Sequence, residues 1–250
     1  MLTPKRHALI LEELSKKQTI TIQDLVDLMH VSESTIRRDL SELEKQALLK
    51  RVHGGAIAVS QIKDEPSVQE KKQRGTTEKK EIAQYAAALV EDYDVIYLDA
   101  GTTTYEMIPF LKDRPITVVT NGLMHLDLLQ HYQISTYIIG GKVKDKTGAV
   151  IGSVALKQIE HYHFNMAFIG ANGVDLTFGY STPDPEEGDL KEKALSLSDQ
   201  RFVLADHSKL QTKSAYRFSE LSEATLITDR LLETDRIDYE KNTDILEAMT

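Results

Sequence analysis

Apolar residues recur at helical spacing through the first fifty residues, and they predict three successive helices. The first begins at Thr3-Pro4, where an N-cap precedes a proline at the first helical position, and runs to about Lys16. The second is capped by Thr21 and ends near Met29. The third starts after a turn, at an N-cap formed by Ser32. Its buried stripe comprises Ile36, Leu40, Leu43 and Ala47.

Two short extended segments come next, Lys50–Val52 and Ala56–Val59, on either side of His53-Gly54-Gly55. A glycine pair suits the positive φ angles of a two-residue hairpin turn. Helices followed by such a hairpin predict a winged helix-turn-helix domain over residues 1–58. In this fold the last helix enters the major groove of double-stranded DNA.

Two adjacent arginines, Arg37 and Arg38, lie off the buried stripe near the start of the third helix. Taken alone, such a pair is equally typical of a solvated helix face, with Asp39 beside it. The cap, the turn and the hairpin around it favour contact with DNA bases or phosphates. The predicted DNA-contacting residues are Ser32, Ser34, Thr35, Arg37, Arg38, Arg51, His53 and Gly54.

The pattern changes beyond the hairpin. Residues 59–75 are polar and charged, and they predict a linker that becomes helical towards its end. Thr76 and Thr77 are candidate caps for a helix over Glu78–Val90. Residues 76–250 alternate β-branched runs with helical stretches, which predicts an α/β domain with a mostly parallel sheet covered on both faces. The runs are Val95–Leu98, Ile116–Val119, Tyr137–Ile139, Met166–Ile169, Phe202–Ala205 and Ala224–Ile227.

Composition narrows the class of protein. Cysteine is absent, which excludes disulfides, a thiolate nucleophile and thiolate metal ligands. There is no membrane-length apolar run and no signal-peptide pattern, so we expect a cytoplasmic protein with no membrane partner. The net charge of −9 is uneven, since residues 1–62 carry nine basic and eight acidic side chains. This imbalance favours a focused DNA contact on the head and an acidic remainder that repels DNA.

Polar residues follow every predicted strand, and ligands of open α/β sheets bind outside the carboxyl ends of the strands. Gly101–Thr104 leads directly into a helix, so its backbone N–H groups, the positive helix end and three hydroxyls would hold a phosphate. The loop is neither a P-loop nor a dinucleotide-binding motif. Lys142, Lys191 and Lys209 are candidate cationic donors. This lining suits a polyhydroxylated anion.

Several of these stretches resemble the DeoR family of bacterial transcriptional regulators. In the head they are Arg6 with Ile10, Leu14, Val31–Leu40 and Arg51–Ala56. In the second domain they are Leu98–Thr104, Val118–Asn121, Gly140-Gly141, Thr147–Ala149, Ala167–Gly170 and Asp206–Lys209. The resemblance covers essentially the whole chain. It implies a repressor of a sugar-utilisation operon, released from DNA by a phosphorylated sugar, with no cofactor and with a sensor domain similar in fold to ribose-5-phosphate isomerase.

The same resemblance implies the residues that bind the effector. Carried onto this chain they are Asp99, Gly101, Thr102, Thr103, Thr104, Asn121, Gly140, Gly141, Glu187, Lys191, Asp206 and Lys209. Thr147–Ala149 and Ser181–Asp184 are closer to the fructose-operon repressors than to the lactose-type ones, so fructose 1-phosphate is the first expectation. The chain departs from the family at Asn165, where many members place an aspartate before the fourth strand.

Two alternatives remain open. The first is a sugar-phosphate isomerase with a DNA-binding head, which would need a positioned carboxylate base and, by resemblance, an acidic loop after the fourth strand. That loop, Gly170–Gly173, has no carboxylate before Asp175, which favours binding without turnover and no catalytic residues. The second is a DNA-binding protein whose second domain only oligomerises. A single head offers few base contacts, so paired half-sites predict a homodimer or homotetramer.

The histidines predict no metal site. His161 and His163 lack a third ligand at a useful spacing, and a helix end entering a strand explains them better. His125 and His131 are expected at the surface. The sequence leaves open which phosphosugar binds, the operator, the sign of regulation, and dimer versus tetramer.

Overall fold

The structure, a computed structural model, describes residues 3–17, 19–45, 48–52, 54–58 and 68–248. The chain divides into two compact units, residues 1–66 and residues 67–250. Some predictions fall outside the described residues: those on Ala47, His53 and Val59, and most of the predicted linker.

The first unit is a winged helix-turn-helix, as the sequence predicts. Its three strands form an antiparallel sheet in the order β1-β3-β2. Its elements are α1 Thr3–Lys17, β1 Thr19–Thr21, α2 Ile22–Met29, α3 Glu33–Lys45, β2 Leu49–Val52 and β3 Gly55–Ala58.

Local capping explains where α2 begins and ends. The Thr21 hydroxyl accepts a hydrogen bond from the Asp24 backbone N–H at 3.1 Å, and the Asp24 carboxylate accepts one from the Thr21 N–H at 3.1 Å. This reciprocal pair is a capping box. His30 ends the helix in the left-handed conformation, with φ of 54°. Ile36, Leu40 and Leu43 of α3 are fully buried, as predicted.

The two glycines at the hairpin differ in role, whereas the sequence predicted that both would form the turn. Val52 pairs with Gly55 across the hairpin, so Gly55 belongs to β3 and not to the turn. Gly54 alone has a positive φ, of +90°. A Cβ on Gly55 would lie 2.1 Å from the Ile20 carbonyl oxygen, so Gly55 is required by the close approach of β1.

The second unit is an α/β domain around a seven-stranded parallel sheet, which confirms the predicted fold class. The sheet order is β15-β14-β12-β9-β4-β5-β6. Its strands are β4 Val95–Leu98, β5 Thr117–Thr120, β6 Ser135–Ile138, β9 Phe164–Gly170, β12 Ser198–Leu204, β14 Thr225–Thr228 and β15 Ile245–Glu247. Its helices are α4 Val68–Gln73, α5 Thr76–Ala88, α6 Thr102–Met107, α7 Leu126–His131, α8 Ser153–Ile159, α9 Pro185–Ser196 and α10 Glu233–Tyr239.

All six predicted strands belong to this sheet, whereas β15 and the smaller sheets were not predicted. The smaller sheets are the hairpin of β7 Lys142–Val143 and β8 Val150–Ile151, and the antiparallel sheet of β10 Gly173–Asp175, β11 Gly179–Thr182 and β13 Tyr216–Ser219. These strands have two to four residues, too few for a hydrophobic period to show.

Alternate residues of the central strands face two separate cores. Tyr97 packs with residues of α8 and α9, whereas Ile96 and Leu98 pack with residues of α5 and α6. The cap of α5 differs from the prediction: Thr76 is already helical, and Gly75 precedes it with φ of 58° and no side-chain cap. Helices on both faces leave the carboxyl ends of the strands as the accessible edge of the sheet.

Candidate DNA-binding surface and effector site

Helix α3 presents its predicted polar residues to solvent. The Ser32 hydroxyl accepts a hydrogen bond from the Thr35 N–H at 3.3 Å, which confirms Ser32 as the cap. Ser34, Arg37 and Arg38 are exposed. Arg37 Nε donates to Glu33 Oε1 at 3.0 Å, one helical turn earlier. An exposed pair of this kind contributes little, about 0–1 kcal/mol, so it does not fix the position of the Arg37 side chain.

The wing strand is joined to α3 by Arg51. Its Nη1 donates to Ser41 Oγ at 2.7 Å, and its backbone N–H donates to the Glu44 carboxylate at 2.8 Å. The Ser41 hydroxyl in turn donates to the Arg37 carbonyl at 2.8 Å. Arg51 therefore links the wing strand to α3 through its backbone and its side chain. Gly54 is exposed at the tip, and His53 lies outside the described residues.

A buried ion pair, which sequence reasoning missed, supports α3 from behind. Arg6 of α1 donates to both carboxylate oxygens of Asp39, at 2.7 and 2.9 Å. Burial alone would raise the pKa of Asp39, but hydrogen bonds and attraction from Arg6, with smaller contributions from His7, lower it overall. Asp39 therefore does not share the solvent-facing role of its neighbour Arg38. The two partners are 33 positions apart, and nothing in their spacing signals the contact.

In the second unit, a lysine and an aspartate pair at the carboxyl end of β4. Lys191 of α9 donates to Asp99 Oδ2, and also to the Gly170 carbonyl at 3.0 Å. The Gly170 N–H donates to the same Asp99 oxygen at 3.1 Å. The structure thus brings together two of the predicted effector residues and adds Gly170, from the end of β9.

The predicted phosphate loop follows Asp99 directly. The Thr104 hydroxyl donates within the loop, to the Asp99 carbonyl at 2.6 Å, and accepts from the Gly101 N–H at 3.1 Å. Thr104 is fully buried, so its hydroxyl shapes the loop, whereas the sequence had assigned it to the phosphate. Thr102 and Thr103 are each 8 % exposed and occupy the first turn of α6, where backbone N–H groups have no intrahelical acceptor.

Asn121, from the end of β5, also has structural partners. Its Oδ1 accepts from the Ala100 N–H at 3.0 Å, and its Nδ2 donates to the Val150 carbonyl at 3.1 Å. Its amide therefore ties Ala100, just before the Gly101–Thr104 loop, to the β7–β8 hairpin.

His125 is fully buried beneath the loop, so the prediction of a surface position was wrong. Nδ1 lies 2.8 Å from Thr120 Oγ1, and Nε2 lies 3.3 Å from the Gly101 carbonyl oxygen. Burial lowers the pKa of His125 to about 4, outweighing the opposing effect of the Gly101 carbonyl and the Asp99 charge. The imidazole is therefore neutral near pH 7. His131 is exposed, as predicted.

The β7–β8 hairpin is fastened to the start of α9 through Glu187. This carboxylate accepts from Lys144 Nζ at 3.0 Å and from the Thr147 hydroxyl at 2.9 Å. Gly140 and Gly141 are exposed at the base of the hairpin. A Cβ on Gly141 would lie 2.8 Å from the Ile151 carbonyl oxygen, so this position accepts only glycine without a backbone shift.

Asp206 and Lys209 lie after β12, two strands from β4 in the sheet order. Asp206 caps its own loop by accepting from the Ser208 N–H at 3.0 Å, and Lys209 Nζ lies 4.0 Å from Asp206 Oδ2. No described contact joins either residue to Asp99. Asp206 instead faces the start of α5, since its Oδ2 lies 3.7 Å from a Cβ placed on Gly75.

Lys79 of α5 was not predicted as a site residue. It is 7 % exposed, and its ammonium group donates to the Lys71 carbonyl of α4. Burial lowers the pKa of Lys79, outweighing the attraction of Asp206. Nothing in the sequence of α5 distinguishes the buried Lys79 from the exposed lysine beside it.

The loop after β9, Gly170–Gly173, contains no carboxylate, and the polar groups around it have structural partners. Asn172 donates its backbone N–H to the Ser181 carbonyl at 2.9 Å, in the approach to β10. The Asp175 carboxylate accepts hydrogen bonds from the backbone N–H groups of Thr177 and Phe178 and pairs with Lys213, so it stabilises the turn that follows β10. Asn165 lies within β9, and its Oδ1 accepts from the Val95 N–H at 2.9 Å.

Comparison with known proteins decides the family. The model of the DeoR-like helix-turn-helix domain matches residues 6–62, and that of the DeoR C terminal sensor domain matches residues 74–230. The chain belongs to the DeoR family. This DeoR-family protein is thus a DNA-binding transcriptional regulator with a separate sensor domain.

Two relatives match this DeoR-family protein along most of their length. One, from Bacillus subtilis (strain 168), bears the name "Uncharacterized HTH-type transcriptional regulator FruR" and is 47% identical over 244 residues, which is 97% of each chain. The other, the lactose phosphotransferase system repressor of Staphylococcus aureus (strain N315), is 33% identical over 218 residues, 86% of each chain. Both relatives are named as regulators of transcription.

Among solved structures, ribose 5-phosphate isomerase A from Methanocaldococcus jannaschii matches 53% of each chain with a TM-score of 0.39 and 20% identity. A likeness this low supports no functional conclusion. Among the described residues, no helix is long and apolar enough to cross a membrane. The same residues include no cluster of three or more histidine or acidic side chains suited to a metal ion.

Proposed function

We propose that this DeoR-family regulator represses a sugar-utilisation operon and is released from its operator by a phosphorylated sugar. The observation that carries the proposal is the buried Lys191–Asp99 pair beside the Gly101–Thr104 loop. A buried charged pair at the accessible edge of a sheet is costly unless it serves a ligand or a specific structure. An anionic, polyhydroxylated ligand offers partners to both charges.

Within this proposal the phosphate binds at Gly101, Thr102 and Thr103, and the backbone N–H groups and hydroxyls of the two threonines, at the start of α6, are its donors. Asp99 and Lys191 bind hydroxyl groups of the sugar, and Glu187, Asp206 and Lys209 line its far side. Thr104, Asn121, Gly140 and Gly141 shape the backbone around the ligand. The divided roles follow from the hydrogen bonds that Thr104 and Asn121 already make within the protein.

The DNA contacts proposed for the head are Arg37 and Arg38 on α3, with Ser32, Ser34 and Thr35 at its start. Arg51, His53 and Gly54 of the wing complete the set. The exposure of both α3 arginines supports this assignment. We propose a homodimer or homotetramer because paired heads on half-sites about 34–36 Å apart, or a multiple of this, give the operator specificity that one head lacks.

Fructose 1-phosphate is the proposed effector. The support is the likeness of Thr147–Ala149 and Ser181–Asp184 to fructose-operon repressors, and Thr147 contacts the proposed site residue Glu187. Turnover is not part of the proposal, because no carboxylate in the loop after β9 is placed as a base. Conversion of ribose 5-phosphate by the pure protein would contradict this point.

Calorimetric titration of the full-length protein tests the proposal directly. Fructose 1-phosphate, fructose 6-phosphate, glucose 6-phosphate and free fructose would each be titrated in turn. We expect one phosphosugar to bind and its free sugar not to bind, because the Gly101–Thr103 loop recognises the phosphate. Equal binding of fructose and fructose 1-phosphate would contradict the proposal that the protein recognises the phosphate group.

A further inference from the structure

Helix α4 is a six-residue helix with no buried residue, placed where the second unit begins. A helix this short is unstable by itself, so its position depends on its contacts. Its backbone and side chains contact three parts of the second unit: the β7–β8 hairpin, α6 and α5.

The first two contacts join α4 to the hairpin and to α6. The Val68 N–H donates to the Lys146 carbonyl at 3.2 Å, next to Thr147, whose hydroxyl contacts Glu187. Lys72 Nζ lies 3.9 Å from the centroid of the Tyr105 ring, on the helix that follows the phosphate loop. A cation over an aromatic face is attracted by the ring quadrupole.

The third contact is the hydrogen bond from the Lys79 ammonium to the Lys71 carbonyl. Lys79 is more than nine-tenths buried, and no described carboxylate lies within ion-pair distance of it. Asp206 and Glu106 act on its charge from farther away, which leaves burial as the dominant effect on its pKa. The Lys79 backbone N–H donates to the Gly75 carbonyl at 3.0 Å, and a Cβ on Gly75 would lie 3.7 Å from Asp206 Oδ2, so the turn of α5 that carries Lys79 lies beside a residue of the proposed effector site.

A buried ammonium that is held by a carbonyl alone binds an incoming anion strongly. A phosphate monoester carries about −1.5 to −2 charges at pH 7. A phosphate that comes within reach of Lys79 is a much stronger acceptor than the Lys71 carbonyl.

We propose that α4 is a latch on the effector site, closed by the Lys79–Lys71 hydrogen bond, and that the phosphate of the effector opens it by drawing the Lys79 ammonium away. The proposal rests on the proposed function, since it needs a phosphosugar at the Gly101–Thr104 loop. The chain that precedes α4 leads to the DNA-binding unit, so we expect opening of the latch to change operator affinity. Lys79 is a positioning residue for α4 as well as a ligand contact.

A spin label on α4 provides the test. The chain has no cysteine, so Gln69→Cys gives a single attachment site on an exposed residue of α4. The label would be measured by electron paramagnetic resonance in the full-length protein, in Lys79→Met, and in Lys80→Met as the matched exposed control. Lys79→Arg, which keeps the charge and the donors, guards against an effect of misfolding.

Without ligand, we expect the label to gain mobility in Lys79→Met, with Lys80→Met like the parent and Lys79→Arg close to it. Operator affinity should fall in Lys79→Met, within the range of about 5- to 150-fold that is typical of allosteric coupling. Unchanged label mobility in Lys79→Met would overturn the latch whatever the effector is.

With fructose 1-phosphate, the parent label should gain the mobility seen in Lys79→Met, and Lys79→Met should show no further change. If calorimetry shows binding but the parent spectrum is unaltered, the latch is overturned and the proposed function stands. If none of the phosphosugars binds, the proposed function fails, and the opening step fails with it.

Discussion

The ammonium group of Lys191 donates to the carboxylate of Asp99, 92 positions earlier in the chain, and both side chains are less than one-tenth exposed. The pair joins α9 to the end of β4 at the accessible edge of the sheet. Its two charges compensate each other in a site from which water is largely excluded, so each depends on the other.

Lys191→Met should therefore destabilise the second unit. It leaves the Asp99 carboxylate buried with one backbone donor, which costs about 3–5 kcal/mol in the free energy of unfolding. Urea denaturation followed by circular dichroism measures the loss. Lys193→Met on the same helix is the matched control, because its pair with Glu160 is exposed and contributes about 0–1 kcal/mol.

The double variant Lys191→Met/Asp99→Asn separates pairing from packing. With no charge left unpaired, part of the stability should return, although phosphosugar binding should not. A double variant as unstable as Lys191→Met alone would show that the loss came from packing.

Arg37→Ala should weaken operator binding by about 1–3 kcal/mol if Arg37 reads a base, and should leave phosphosugar binding unchanged. Arg230→Ala is the control, because Arg230 is an exposed arginine of the second unit and its substitution removes the same charge far from α3 in the sequence. Fluorescence anisotropy on labelled operator DNA gives both affinities. Equal effects of the two substitutions would mean that net charge, and not the α3 surface, controls binding.

Thr102→Glu should abolish the response to the effector while operator binding persists. The introduced carboxylate occupies the first turn of α6 and repels the phosphate of the ligand. Thr234→Glu, in the exposed first turn of α10, controls for an added charge in a helix start, and Thr103→Ala gives a milder version. Release of Thr102→Glu from DNA by the same phosphosugar would locate the phosphate elsewhere.

His125 should make the second unit less stable in acid. The pKa of His125 is about 4 in the folded protein and 6.5 for a free side chain, so the unfolded chain takes up the proton first. Stability is then complete above pH 6.5 and falls as the pH drops towards 4, by about 2 kcal/mol between pH 7.5 and pH 5. Urea titrations at several pH values measure the slope.

The matched variants for this slope are His125→Gln and His131→Gln. The first should flatten the dependence because it removes the buried imidazole, and the second should preserve it because His131 is exposed. A slope that survives in His125→Gln would assign the acid sensitivity to other groups.

Periodic and local features of the chain were the predictable ones. The stripe of Ile36, Leu40 and Leu43, the cap at Ser32 and the six β-branched runs each follow from a repeating pattern or a side-chain chemistry that acts within a few residues. The winged head and the parallel sheet were therefore predicted correctly from the sequence, and the polar strand ends indicated which edge of the sheet carries the candidate site.

Contacts between distant residues were not predictable. The sequence suggested that Asp39 is a surface neighbour of Arg38, but in the structure it is paired with Arg6 of α1. The sequence also suggested that His125 is exposed, but in the structure it is buried against Thr120 and Gly101. The sequence suggested that the Thr104 hydroxyl is available to a ligand, because its hydrogen bond to the Asp99 carbonyl is visible only in the folded loop. In each case the role of the residue depends on a contact partner that the spacing of residues along the sequence does not indicate.

The most direct test of the account is an electrophoretic mobility shift of the full-length protein on the DNA upstream of its own operon. The shift would be measured alone, with fructose 1-phosphate and the other phosphosugars, and with the free sugars. The account predicts a shifted band that one phosphosugar abolishes and its free sugar leaves intact. A band that resists every phosphosugar would contradict it and favour a second domain that only oligomerises.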